Sequence, residues 1–170
     1  MTGILTLFSS RWYWLVLALG GLGLLAVALY YQYALGEEPC QVCIHARIWV
    51  TAFTLLALVM CVLPTSKLLY SAANLLVIAC AVGLAERSWY LYQIENGRGD
   101  GSCEFQLGMP EWFALDRWFP DLFEVRNLCT YTPEMLFGLS MAESLLLAAA
   151  GVAAYAVVSL VSAARATAVS

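Results

Sequence analysis

The chain has 170 residues, 62% of them hydrophobic and 12% charged, with a net charge of −4 and a mean hydropathy of +0.78. Soluble domains carry about a quarter charged residues, so an ordinary soluble fold is excluded and a single all-α membrane domain is expected. No basic patch offers a footprint for nucleic acid.

Four apolar stretches approach the roughly 20 residues needed to cross hydrocarbon, at about 14–34, 44–63, 68–92 and 145–161. The first is long for the apolar region of a signal peptide. Tyr30, Tyr31 and Tyr33 also stand where small residues would mark cleavage, so it reads as a retained helix. Pro39-Cys40-Gln41-Val42-Cys43 immediately precedes the second stretch, with Arg47 one turn further on. Pro64-Thr65-Ser66-Lys67 makes a tight turn into the third.

The connection over about 93–140 is too long for a simple turn and is expected to carry function or structure of its own. Residues 96–101, four of them Gly or Asp, give a flexible approach to Cys103. In 111–119, Trp112, Leu115, Trp118 and Phe119 recur at helical spacing. They predict a short amphipathic helix lying in the membrane interface, where tryptophan prefers the headgroup layer. Ser140-Met141-Ala142-Glu143 has capping-box spacing and marks the start of the fourth helix.

Charge placement orients the four-transmembrane-helix bundle. Arg11, Lys67 and Arg165 fall on one side, whereas Glu37, Glu38 and most acids of the long connection fall on the other. Positive charge marks the cytoplasmic face, so both termini and the short turn are expected inside. Cys40, Cys43, Cys103 and Cys129 then lie at or beyond the outer surface, where disulfides persist. Cys61 and Cys80 fall within spans and read as small buried hydrophobes.

Four outer cysteines allow three pairings. One reading is two disulfides that merely staple external loops. The Cys-x-x-Cys spacing speaks against it for the first pair, because so short a ring closes little chain entropy and is usually redox-active or metal-binding. His45 is the only histidine, so no metal is expected: a zinc site would need widely separated sulfurs. A helix starting near Cys43 would stabilise a thiolate there through its unpaired N–H groups. Arg47, four residues on, would place a permanent cation on the same face. The competing role for Arg47 is a snorkelling side chain at the lipid boundary.

The ordered set resembles the disulfide bond formation protein B (DsbB) family of bacterial inner-membrane oxidases. The resemblance covers most of the chain and rests on Pro39-Cys40-x-x-Cys43 with Arg47. It rests also on Cys103-Glu104-Phe105, on Pro110-Glu111-Trp112-x-x-Leu115-Asp116-x-Trp118 and on Cys129. It implies that Cys103 forms a mixed disulfide with a periplasmic thioredoxin-like oxidase (DsbA-like). Cys129, its resting partner, would exchange with Cys40, and Cys43 would become the thiolate engaging a membrane quinone, ubiquinone or menaquinone, with Arg47 assisting. Gln32 is implied beside the quinone.

Two features depart from the family pattern or stand out against it. His45 and Ala46 stand where an aromatic and an acid are usual; His45 either tunes the thiolate or contacts quinone, or is a polar interfacial side chain. Glu86 and Arg87, ionisable at membrane depth, either border the pocket or pair locally. A vitamin K epoxide reductase-like bundle is the neighbouring redox alternative, but its motif is expected late in the bundle rather than opening the second helix.

Overall fold

A computed structural model describes residues 11–63, 66–98, 106–129 and 138–168. Helices α1 (Arg11–Ala34), α2 (Gln41–Val62) and α3 (Lys67–Glu95) are followed by a 3₁₀ turn (Glu111–Phe113) and two four-residue helices, α4 (Leu115–Trp118) and α5 (Pro120–Phe123). Helix α6 (Met141–Ala168) completes the chain. No strand occurs among the described residues, and α1, α2, α3 and α6 are each long and apolar enough to span a membrane. The protein is an all-α, four-helix membrane bundle in which α1 packs on α2, α2 on α3 and α3 on α6.

The helices outrun their apolar tracts because polar caps, rather than hydropathy, end them. Ser66 Oγ accepts from Leu69 N–H at the start of α3. At α6 the predicted capping box forms reciprocally: Glu143 N–H donates to Ser140 Oγ at 3.2 Å, and Ser140 N–H to Glu143 Oε2 at 3.0 Å. Helix α6 therefore starts at Met141, ahead of the tract beginning at 145. Gly36, at φ +73°, lets the chain leave α1 while Glu37 N–H bonds Tyr31 O. That turn delivers Pro39 and Cys40 to the start of α2. The predicted 64–67 turn falls partly on residues outside the described set, as do Cys103 and the approach over 99–101.

Lipid tails are as apolar as leucine, so close backbone approach holds such helices together. Small residues accordingly fill the interfaces: Ala142, Ala149 and Ala156 recur every seven residues and are all buried. Gly21 meets α2 so closely that a Cβ there would run into Thr54 Oγ1 and the Phe53 ring. Gly21→Ala is therefore expected to cost roughly 1–3 kcal/mol through overpacking, measured as a lower midpoint of thermal unfolding in detergent.

The end of the bundle near Tyr13 is pinned across α1, α3 and α6. The Tyr13 hydroxyl donates to Asn74 Oδ1 at 2.7 Å, Tyr70 hydrogen-bonds Ser159, and the Tyr13 ring stacks on Tyr155. Arg11, Lys67 and Arg165 lie towards this end of α1, α3 and α6. The cysteine motif lies at the other.

Between α3 and α6 the single interfacial helix expected over 111–119 is instead a 3₁₀ turn and α4, followed by α5. Ala114, at ψ 73°, breaks the first junction, and Phe119, at φ −138° and ψ 67°, breaks the second. A residue preceding proline is pushed out of the helical region, which accounts for Phe119 before Pro120. Trp112 and Trp118 remain exposed, as the interfacial reading requires.

Candidate active site

Cys40 is the N-cap of α2, in extended conformation, and its Sγ accepts from Cys43 N–H at 3.3 Å. A disulfide joins Cys40 to Cys43, with the two Cα atoms 5.1 Å apart. One sulfur thus sits outside the helix and the other in its first turn, where unpaired N–H groups favour negative charge. Both residues are buried.

Arg47 does not snorkel. It is only 6% exposed, and no acid pairs with it among the described residues. Its Nη1 donates to Gln32 Oε1 at 2.5 Å and to Leu122 O at 3.2 Å, while Nη2 donates to Ala28 O at 3.2 Å. Gln32, 8% exposed, passes its own amide N–H on to Asp121 O at 3.3 Å. A buried cation held by neutral acceptors keeps its full charge available to whatever lies beside it.

What lies beside it is a cavity of about 70 Å³. Its walls come from α1 (Leu24, Leu25, Val27, Ala28, Tyr31), α2 (Cys43, Ala46, Arg47, Val50) and α6 (Met141, Ser144, Leu145). Of the Cys40–Cys43 pair, Cys43 borders it and Cys40 does not. Cys43 Sγ lies 3.8 Å from Met141 Sδ. The walls are chiefly apolar, with the sulfur residues Cys43 and Met141, the hydroxyl residues Tyr31 and Ser144, and the Arg47 guanidinium. That donor set fits a lipid-soluble ring carrying carbonyl oxygens: three of the five guanidinium N–H groups are engaged by protein, so others are left for a ligand oxygen.

Cys129 is buried in one cluster with Cys40, Cys43, Leu91, Ile94 and Ala142, and is itself disulfide-bonded. The chain before it is held against the motif: Arg126 and Asn127 N–H both donate to Pro39 O, at 3.0 and 3.2 Å, and Cys40 and Asn127 form a parallel bridge. The Arg126 side chain bonds Glu124 at 2.9 Å, which raises its pKa above the ordinary value. Cys40, Cys43 and Cys129 therefore share one site, and Cys103 lies outside the described residues.

His45 does not border the cavity; its ring neighbours the Leu107 backbone, on the side where Ile44 packs with Leu107 and Phe123. Glu86 and Arg87 pair with each other at 2.9 Å, half-exposed, and also stand away from the cavity. Cys61 and Cys80 are free and pack against the core. Sequence reasoning missed Ala28, Tyr31, Tyr33 and Met141. Ala28 sits four residues before Gln32 and hence on its face, and Met141 lies inside the capping box, so both had a legible signal.

The family model for disulfide bond formation protein DsbB matches residues 10–159. Disulfide bond formation protein B 2 of Pseudomonas aeruginosa is 35% identical over 144 residues, covering 84% of this chain and 85% of that one. Disulfide bond formation protein B of Shewanella denitrificans is 33% identical over 153 residues, covering 89% and 87%. The Haemophilus influenzae protein of that name is 30% identical over 145 residues, covering 84% and 82%. With four membrane-spanning helices and a bonded Cys-x-x-Cys pair at the head of the second, this chain belongs to the DsbB family of membrane proteins for disulfide bond formation.

Proposed function

We propose that the protein is a bacterial inner-membrane thiol oxidase that re-oxidises a periplasmic DsbA-like dithiol and passes the electron pair to ubiquinone or menaquinone. A DsbA–DsbB–quinone relay keeps the bacterial periplasm oxidising, and membership of the DsbB family supports the same role for this chain. The observation that carries the reading is the placement of Cys43 and Arg47 on one cavity wall, with Cys40 off that wall and in one buried cluster with Cys129.

Quinone would be held by Arg47, whose guanidinium is oriented by Gln32 and Ala28, between the apolar side chains of α1 and α6. When bound it supplies an acceptor for two electrons and two protons. The chain's own part is thiol–disulfide exchange. The Cys103–Cys129 disulfide is opened by a partner thiolate, which bonds to Cys103 and frees Cys129. The Cys129 sulfur, released as a thiolate, attacks Cys40; the Cys40–Cys129 bond forms as the Cys40–Cys43 bond breaks. Cys43 leaves with the electron pair as a thiolate, stabilised by the α2 N-terminus and Arg47. The second partner thiol then closes on the mixed disulfide and releases Cys103. DsbA-type oxidants lie near about −120 mV, so oxidising them by exchange alone runs uphill, and exit of electrons into the membrane drives the cycle.

Both termini would be cytoplasmic and the Cys129 segment periplasmic, in keeping with Arg11, Lys67 and Arg165 at the opposite end of the bundle. The deciding experiment is anaerobic turnover of purified protein with reduced partner and defined quinones. One quinol per partner disulfide is expected; partner oxidation without quinol would defeat the proposal. Cys61→Ser and Cys80→Ser should turn over at close to the parent rate in the same assay, because neither free thiol borders the cavity.

A further inference from the structure

The segment carrying Cys129 is fastened to the bundle at two places. One is the pair of bonds from Arg126 and Asn127 N–H to Pro39 O. The other lies at α5, whose final carbonyls have no partner within so short a helix. The Tyr33 hydroxyl donates to Asp121 O at 2.8 Å, and Gln32 Nε2 donates to the same oxygen at 3.3 Å. The next carbonyl, Leu122 O, accepts from Arg47 at 3.2 Å. Phe123 then buries its ring against Ile44 and Leu107. Three side-chain donors from α1 and α2 thus converge on two successive carbonyls, eight and seven residues before Cys129.

Arg47 takes part in both arrangements, because it also lines the cavity. We infer that Tyr33, Gln32 and Arg47 form a clamp coupling occupancy of the cavity by a quinone to the docking of Cys129 beside Cys40, with Tyr33 as a positioning residue outside the cavity. The inference rests on the function proposed above. A ligand oxygen bonded to Arg47 restrains the guanidinium and so firms its hold on Leu122. By linkage, a docked segment favours the ligand by the same factor. Tyr33 is the member to test: its ring is exposed and does not line the cavity, and its hydroxyl bonds α5.

The test compares the full-length protein with Tyr33→Phe in lipid nanodiscs, following amide hydrogen exchange with and without a short-chain ubiquinone. In the parent protein, ubiquinone should slow exchange over 122–127. In Tyr33→Phe those amides should exchange about two- to tenfold faster without ligand, the range one neutral hydrogen bond supplies. Ubiquinone should then bind more weakly by no more than that factor, with α2 and α3 unchanged. The clamp is overturned by exchange over 122–127 that ignores ubiquinone in the parent, by a Tyr33→Phe profile identical to the parent's, or by loosening spread evenly through the helices. Should the parent protein reduce no quinone with reduced partner, the proposed function fails. The ligand-free comparison of Tyr33→Phe still decides whether the hydroxyl holds the segment.

Discussion

Cys43→Ser is expected to abolish quinone-coupled oxidation of the partner while leaving the fold in place. Of the bonded pair, the Cys43 sulfur is the one on the cavity wall, and a hydroxyl can neither carry a disulfide nor leave as a stable anion near neutral pH. The structural cost should be small. The substitution removes little volume, and the Cys43 N–H that bonds Cys40 Sγ belongs to the backbone. Membrane insertion and the thermal midpoint should therefore stay close to the parent's. Quinol formation should fall to the uncatalysed rate, whereas partner should still be captured as a mixed disulfide, visible after acid quenching and thiol alkylation. Quinol production at a substantial fraction of the parent rate would remove Cys43 from the role given to it.

Arg47→Ala carries the second large effect, in two separable parts. It deletes donors to Gln32 Oε1, Ala28 O and Leu122 O, and a hydrogen bond from a charged donor is worth roughly 1.5–3 kcal/mol. The variant should therefore unfold at a lower temperature. It also removes the cation facing the cavity, so the quinone KM should rise about ten- to hundredfold, the equivalent of one such bond. The KM for reduced partner should move little. Arg47→Lys is expected to fall between, because a single ammonium cannot span three acceptors on α1 and α5. A quinone KM unchanged in Arg47→Ala would show that the guanidinium serves only to hold the loop.

Much of this was legible in the chain before any coordinates. Hydropathy located the four spans, because leaving so many apolar residues anywhere but in lipid is untenable. The cysteine spacing and Arg47 pointed to the site, because ring size and helical periodicity are local properties. Helix ends were less legible: Ser66 and Ser140 are polar caps that a hydropathy window discards. Periodicity over 111–119 predicts one continuous helix because side chains say nothing of the backbone at Ala114 or of the restraint Pro120 places on Phe119. The partners of Arg47 were invisible for a different reason. Two of them are main-chain carbonyls, which carry no residue code. Tyr33 was noted only as an aromatic where a cleavage site would need small residues, since its bond to Asp121 O spans 88 positions.

The N-cap placement of Cys40 makes the two bonded sulfurs mechanically unequal. Cys43 is gripped by the first turn of α2, so its sulfur keeps its station whether or not the bond is closed. Cys40 hangs from the non-helical stem of Pro39, outside the first turn, held by the bond from Ile44 N–H to its carbonyl and by the strand-like pairing with Asn127. A covalently symmetric bond thereby becomes a directional one: in the proposed exchange the end outside the helix trades its bond for one to Cys129, and the helical end stays on the cavity wall.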